Sequence, residues 1–169
     1  MIADRIAEWL EANDIRHAFG IVGGGNVILW DAIARRGFTE LVSCHHEQAA
    51  VMAASYYWRV SGKVALALVT TGGGSTNALT GVMAAWMDSA AVLVISGNES
   101  SKSIDDTRVL GTQGFDSAKV SEPMTKWANS PTAVGAIISL RRALQIATEP
   151  RPGPVWLNFW KDVQSESLG

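Results

Sequence analysis

Two almost entirely apolar segments constrain the fold of this 169-residue chain most strongly, "VALALVTT" at 64–71 and "AAVLVIS" at 90–96. A strand with one face in water alternates apolar and polar residues, whereas a strand that is buried on both faces is apolar throughout. Between the two segments lies "ALTGVMAAWMD", which has the length and composition of a helix. Because a strand, a crossover helix and a second strand form the unit of a parallel sheet, the segments predict such a sheet with both faces covered.

The rest of the chain repeats this alternation. Apolar residues at Ile2, Ile6 and Leu10 recur every four positions and predict a first helix that ends near Asn13. The other predicted elements are the strands "IRHAF", "ELVSC" and "GPVWLNF", and helices from Val27 to Gly37, over "QAAVMAASYYWRV", and over about 132–148. We therefore expect an α/β fold with a parallel sheet of about six strands and helices on both faces. The irregular stretch at 97–122 exceeds an ordinary connection in a compact domain, so it is a candidate for function.

Composition and charge narrow the class of protein. With 47% hydrophobic residues the chain can bury one substantial core but is short for two, so we expect one domain over 1–169. A net charge of -2, without a basic stripe, argues against nucleic acid and against an anionic membrane surface as partners. The amphipathic N-terminus is unlike a signal peptide, and the single cysteine, Cys44, excludes an internal disulfide. We expect a cytoplasmic protein whose partners are small molecules or other proteins.

Three strand exits carry the candidate functional residues: "GIVGGGN" at 20–26, "HHEQ" at 45–48 and "TTGGGSTN" at 70–77. In a parallel sheet these exits share one edge, which is where such folds bind ligands. The glycines serve either tight turns or the close approach of backbone to a ligand, and both interpretations stay open. Their order does not match a dinucleotide fingerprint, and the second turn lacks the lysine of a phosphate-binding loop.

The "HHE" exit places a carboxylate at the junction between an apolar strand and a helix. A buried carboxylate is costly unless it is paired, hydrogen-bonded or protonated, so a functional role is one explanation for Glu47 at this junction. The alternative is a carboxylate that the positive end of the helix dipole favours. Adjacent strand residues point to opposite faces, so His45, His46 and Glu47 do not converge on one ion, and we predict no metal site here.

Five stretches, in their order, resemble the pyrimidine-binding domain of thiamine diphosphate enzymes of the acetolactate synthase and 2-oxoacid decarboxylase group. They cover nearly the whole chain and read "FGIVGGGNVILWDAI", "HHEQAAVMAASYYWRVSGK", "VTTGGGSTNALTGVMAAWMDSAAVLVISG", "SEPMTKWA" and "RPGPVWLNFWKDV". The resemblance implies that Glu47 is the cofactor-activating glutamate. Its carboxyl group would hydrogen-bond a ring nitrogen of the aminopyrimidine, whose exocyclic nitrogen then removes the proton from the reactive thiazolium carbon.

The same resemblance assigns roles to other residues. The cofactor-binding set comprises Val22, Gly23, Gly24, Glu47, Thr71, Gly72, Gly73 and Asn77. The substrate-side candidates are Asn26, His46, Gln113, Phe115 and Asp116. Acetolactate synthases usually carry proline at the positions of Val22 and Gly73, and these departures alter the stiffness of the turns. The loop with Gln113 also differs from the usual version, which leaves the acceptor substrate open.

The resemblance also implies a partner. In the family a second domain holds the diphosphate and its Mg²⁺ through a "GDG" motif and a later asparagine, and this sequence contains no "GDG". We expect that domain on a separate subunit, in a heterotetramer or larger assembly with the active site between unlike chains. Some of the seven tryptophans would then lie at an interface, with a core position as the alternative; the candidates are Trp58, Trp86, Trp156 and Trp160.

The expected reaction is the decarboxylation of a 2-oxo acid such as pyruvate, followed by transfer of the acyl carbanion equivalent to an acceptor, as in acetolactate synthase. Two alternatives stay open. One is a simple decarboxylase of the sulfopyruvate or phosphonopyruvate type. The other is a non-catalytic nucleotide-binding module in which Glu47 contacts a ribose.

Overall fold

The computed structural model describes residues 1–103 and 113–167, and in these residues one six-stranded sheet organises the chain. The strands are β1 (His17–Gly20), β2 (Glu40–Ser43), β3 (Leu66–Val69), β4 (Leu93–Asn98), β5 (Trp127–Asn129) and β6 (Val155–Trp160). They lie in the order β2-β1-β3-β4-β6-β5, and each neighbouring pair is parallel. The predicted parallel sheet of about six strands is confirmed.

Helices cover both faces of this sheet. They are α1 (Ile2–Ala12), α2 (Val27–Arg36), α3 (Glu47–Ser61), α4 (Gly73–Met87), α5 (Ser117–Ser121), α6 (Ala136–Thr148) and α7 (Lys161–Ser165). Helices α1, α2, α6 and α7 pack with one another on one face, whereas α3, α4 and α5 share the other. The stretch that follows β4 also contains two short 3-10 helices, Ser101–Ser103 near its start and Glu122–Met124 at its end.

The central strands feed two separate cores, which explains why their sequences are apolar throughout. In β3, Leu66 and Leu68 join the core under α1, α2 and α6, whereas Ala67 and Val69 join the core under α3 and α4. All four residues are fully buried. Small side chains on the α3 and α4 side let those two helices approach the sheet and each other closely.

The second glycine turn differs from the sequence prediction. Helix α4 begins at Gly73 rather than at Ala78, so most of "GGGSTN" forms its first turn. Gly72 precedes the helix with φ +61° and ψ -124°, a conformation that side chains disfavour. The first backbone N–H groups of a helix lack intrahelical acceptors, and here they lie at the ligand-binding edge. The glycines therefore start a helix at the site instead of forming a loop before it.

Three short elements were not predicted, namely β5, α5 and α7. Strand β5 has 3 residues and helices α5 and α7 have 5 residues each. Segments this short do not complete a recognisable period, so pattern alone does not reveal them. Strand β5 lies at the sheet edge beside β6, where pairing with a long central strand specifies it.

The tryptophans divide between core and surface. Trp156 has no exposed surface, so the expected interface position is wrong for this residue, which packs in the core with α3 and α4. Trp58 and Trp160 are half-buried against the core, and Trp86 is 39% exposed. In the described residues no helix combines the length and apolar character that crossing a membrane requires.

Candidate active site

The carboxyl ends of β1, β2 and β3 bring the three predicted strand exits to one edge of the sheet. Strand β1 lies between β2 and β3, and the three strands run parallel. The first glycine turn follows β1, Glu47 follows β2, and the second glycine turn follows β3. Residues that are separated by dozens of positions in the chain therefore lie beside one another.

Glu47 is the first residue of α3 and is only 8% exposed. His46 caps the helix, because its Nδ1 accepts a hydrogen bond of 3.2 Å from the backbone N–H of Gln48. The Glu47 Oε2 atom accepts a hydrogen bond of 3.1 Å from Asn77 Nδ2 in the first part of α4. The exposed side chain of Asn77 thus meets the buried carboxyl group at the edge of the site.

Close packing of α3 against α4 sets this contact. Val51 lies one turn after Glu47, and Gly81 lies one turn after Asn77, so each pair shares a helix face. A Cβ atom on Gly81 would lie 2.7 Å from Val51 Cβ, which is shorter than real side-chain contacts allow. The absence of that atom lets the two helices come close enough for Asn77 to reach Glu47.

Gly74 makes room for the carboxyl group itself. A Cβ atom there would lie 3.1 Å from Glu47 Oε1 and 2.7 Å from Thr70 Cγ2. Gly74 lies within the "TTGGGSTN" exit that the sequence predicts as part of the site, but no role of its own was predicted for it. Glu47 is therefore enclosed by Asn77 on one oxygen and by the backbone of Gly74 beside the other.

Thr70 connects the two glycine turns, and no role was predicted for it from the sequence. Its Oγ1 accepts a hydrogen bond of 3.1 Å from the backbone N–H of Gly25 in the first turn. A Cβ atom on Gly23 would lie 2.5 Å from the same oxygen. No local pattern marks Thr70, because its partners are distant in the chain.

Asn26 closes the first turn from inside. Its Oδ1 accepts a hydrogen bond of 2.8 Å from Gly23 N, and its Nδ2 donates one of 3.0 Å to the Ile21 carbonyl. The residue has no exposed surface. The predicted substrate-side residue Asn26 is therefore committed to the shape of the turn, while the neighbouring Val22 is 51% exposed at its tip.

Gly24 and Gly73 leave open space at this edge. A Cβ atom on either residue would have no neighbour within 4 Å, and neither residue has a positive φ. Neither packing nor backbone conformation in the described chain therefore requires glycine at these two exposed positions. Open space at the strand-exit edge that also holds the Glu47 carboxyl group is what a flat heteroaromatic ligand that approaches the backbone would need, so the residues fit the pyrimidine end of thiamine diphosphate.

The remaining predicted residues lie on the β4 side of the turn. Thr71 is buried, and Gln113 is exposed but packs against Gly72. Phe115 is half-buried. Asp116 caps α5, since its Oδ1 accepts a hydrogen bond of 3.1 Å from Lys119 N. Gln113 thus adjoins the site through Gly72, while the Asp116 carboxylate is engaged by its own helix. Residues 104–112 of the predicted functional stretch lie outside the described part.

Neighbouring groups add neither a thiolate nor a metal centre to the described site. Burial raises the pKa of the Cys44 thiol above its ordinary value against the opposing effect of the backbone hydrogen bond with Gly20, so Cys44 stays protonated at neutral pH. Within 1–103 and 113–167, no three His, Cys, Asp or Glu residues come together as metal ligands would.

Comparison of the sequence with known proteins identifies the family of the chain. The family described as "Thiamine pyrophosphate enzyme, N-terminal TPP binding domain" matches residues 1–120, which include both glycine turns and Glu47. The chain belongs to this family of thiamine pyrophosphate enzymes, as their N-terminal TPP binding domain. The resemblance inferred from the sequence motifs is confirmed.

Curated relatives carry the name acetolactate synthase. The chain is 36% identical to the large subunit of Haemophilus influenzae over 95% of this chain and 28% of that protein. It is 33% identical to the isozyme 3 large subunit of Escherichia coli over 95% of this chain and 28% of that protein. The mitochondrial enzyme of Schizosaccharomyces pombe is 36% identical over 92% of this chain and 23% of that protein. The chain thus spans less than a third of the length of these relatives.

Proposed function

We propose that this chain supplies the pyrimidine-binding half of the active site in a thiamine diphosphate-dependent enzyme that decarboxylates a 2-oxo acid. The observation that carries the proposal is the environment of Glu47. Its buried carboxyl group is held by Asn77 and enclosed by Gly74, and it lies at a sheet edge where Gly24 and Gly73 leave space. A buried carboxyl group beside an open cradle is suited to share a proton with a ring nitrogen.

Each residue has a distinct part in this proposal. Thiamine diphosphate, when bound, supplies the electron sink that decarboxylation needs. The Glu47 carboxyl group holds a proton at the aminopyrimidine ring nitrogen. Asn77 orients that group by donating to Oε2, and Gly74 keeps side-chain atoms away from Oε1. Gly24 admits the ring, because a side chain there would project into the open space at this edge.

For the reaction we propose carboligation in the manner of acetolactate synthase, with pyruvate as the donor. The names of the relatives support this choice, since the Haemophilus influenzae, Escherichia coli and Schizosaccharomyces pombe proteins are all called acetolactate synthases. The acceptor-side residues His46, Gln113 and Phe115 stay predictions. A product that consists of carbon dioxide and a simple aldehyde would instead indicate a decarboxylase.

We further propose that a separate subunit holds the diphosphate and Mg²⁺ and packs against this chain. Helices α3 and α4 expose large apolar side chains, and this exposure supports the proposal of a second subunit that packs there. Tyr56 is 63% exposed, Val60 86%, Met83 41% and Met87 72%. Neighbouring apolar side chains in water favour an interface. The cytoplasmic location stays a prediction.

The experiment is reconstitution with a candidate partner that carries a "GDG" motif and the later asparagine. We expect turnover of pyruvate only when both chains, thiamine diphosphate and Mg²⁺ are present, with acetolactate as the product. Glu47→Gln should co-purify with the partner and lose about 10²- to 10⁴-fold in kcat, the usual range for a general acid–base group.

The matched control is Glu40→Gln, which makes the same chemical change at an exposed residue. Glu40 lies at the amino end of β2, whereas Glu47 follows its carboxyl end at the candidate active site. The Glu40 variant should therefore keep normal turnover. Unchanged turnover in Glu47→Gln would contradict the role of the carboxyl group. Cofactor binding and turnover by the isolated chain would contradict the separate subunit.

A further inference from the structure

Buried polar side chains lie on the second half of β4, along β6 and at the start of α5, where apolar residues would be expected. The cluster consists of Ser96, Asn98, Ser117, Trp156 and Asn158, each at most 1% exposed. Burial of polar groups is unfavourable unless each finds a hydrogen-bond partner. A fully hydrogen-bonded polar network makes a core rigid and fixes its geometry. The residues to which this network is bonded therefore indicate which part of the fold it holds in place.

Asn158 is the centre of the cluster. Its Oδ1 accepts hydrogen bonds from Asn98 Nδ2 at 2.9 Å, from Ser117 Oγ at 3.0 Å and from Ser96 Oγ at 3.2 Å. Its Nδ2 donates to Ser130 Oγ at 3.0 Å, on the far side from the glycine turns. This arrangement joins β4, β6 and the start of α5 into one unit.

Asn98 extends this unit to the candidate active site and uses its whole hydrogen-bonding capacity. Its Nδ2 donates to the Phe115 carbonyl at 2.6 Å as well as to Asn158. Its Oδ1 accepts from Thr71 Oγ1 at 2.9 Å and from Glu99 N at 2.9 Å. One amide thus ties the second glycine turn to β6 and to the segment that precedes α5.

The two stretches that Asn98 joins are also in direct contact. The Thr71 hydroxyl lies 3.1 Å from the Gln113 carbonyl, so its single hydrogen is shared between that carbonyl and Asn98. The Gln113 side chain occupies the space beside Gly72 where a Cβ atom would project. Residues 113–116 therefore cover the turn from which α4 begins.

We propose that Asn98 is a positioning residue for the candidate active site. By fixing the turn at Thr71 and Gly72 against residues 113–116, it sets the start of α4, which presents Gly74 and Asn77 to Glu47. Asn98 is 1% exposed and touches none of the open space, so it acts only through these neighbours. The positioning itself is a property of this chain, and only its consequence for the cofactor rests on the proposed function.

Amide hydrogen exchange on the full chain tests the positioning without any activity. Asn98→Asp keeps an acceptor for Thr71 but turns an oxygen toward the Phe115 carbonyl and Asn158 Oδ1. We expect exchange in residues 72–77 and 113–117 to rise about tenfold or more, because a buried acceptor loses its partner. Exchange in β3 should stay at the wild-type rate.

Two further variants keep the test decisive if Asn98→Asp folds poorly. Thr71→Val removes the hydroxyl from the other end of the link and should raise exchange in the same two stretches, whereas Thr71→Ser should restore the wild-type pattern. Ser130→Ala cuts the network on its far side and should leave both stretches unchanged. An exchange increase confined to one stretch, or spread evenly over the core, would overturn the proposal.

The reconstituted enzyme separates this inference from the proposed function. Asn98→Asp should raise the apparent KM for thiamine diphosphate about tenfold while kcat at saturating cofactor changes less, as expected when a site is loosened before binding. An unchanged apparent KM together with loosened turns would overturn the link to the cofactor. Activity that survives Glu47→Gln would overturn the proposed function and leave the exchange result standing.

Discussion

At the scale of single residues, the environment of Glu47 is set by what its neighbours lack. Gly74 lacks the side chain that would collide with Oε1, and Gly81 lacks the one that would push α4 away from α3. Asn77 then supplies the one hydrogen bond between described residues that reaches the carboxyl group. Glycine is thus used here for close approach, not for a positive φ, which only Gly72 adopts at the site.

Gly73 and Gly74 give a matched pair of substitutions. Gly74→Ala should lower the free energy of unfolding by about 1–3 kcal/mol, because its Cβ would lie 2.7 Å from Thr70 Cγ2. Gly73→Ala has open space and a helical position, so it should keep or raise stability by up to about 1 kcal/mol. Urea unfolding measures both changes.

Cofactor titration of the assembled enzyme tests the open space at the first glycine turn. Gly24→Ala should weaken the binding of thiamine diphosphate at least about tenfold, because its Cβ would enter the space left for the ligand. Full affinity in a stable Gly24→Ala protein would show that the open space beside Gly24 does not admit the cofactor.

At the scale of elements, the pair α3 and α4 is the frame of the site. A stripe of small buried residues lets the two helices pack closely, and it includes Ala50 and Ala54 on α3 and Ala78 and Gly81 on α4. The close approach at Gly81 lies one turn from the contact between Asn77 and Glu47. Helix spacing is therefore expected to control the hydrogen bond of the carboxyl group.

Gly81→Ala tests this frame. Alanine favours a helix over glycine by about 1 kcal/mol, but the new Cβ would lie 2.7 Å from Val51 Cβ. We expect overpacking to prevail and to lower the free energy of unfolding by about 1–2 kcal/mol. In a double-mutant cycle Val51→Gly should recover part of that loss relative to its own cost, because it removes the Cβ that collides. Additive effects of the two changes would contradict direct packing.

Several elements of the fold and several residues of the site are predictable from the sequence. The long strands and helices are predictable because burial on both faces and helical periodicity are local signals. Glu47 and the glycine turns are also predictable, since strand exits in a parallel sheet share one edge. Thr70 and Asn98 are not, because their partners lie 45 and 27 residues away, and only the register of β1 with β3 and of β3 with β4 brings each pair together.

At the scale of the whole molecule, the candidate active site, the polar network and the exposed apolar surface lie on different parts of the fold. The candidate active site lies at the carboxyl ends of β1, β2 and β3, and the polar network beside it joins the end of β4 to the middle of β6. The outer faces of α3 and α4 expose the apolar side chains that a second body would cover. These features agree with a domain that completes its site against another protein domain.

The most direct test is the rate at which the thiazolium proton of bound thiamine diphosphate exchanges with deuterium in the assembled enzyme. It measures proton removal before any substrate binds, which is the step that the Glu47 carboxyl group is proposed to promote through the aminopyrimidine. Glu47→Gln should slow this exchange about 10²- to 10⁴-fold with the cofactor still bound, while Glu40→Gln should exchange at the wild-type rate. Equal exchange rates in wild type and Glu47→Gln would contradict this role of Glu47.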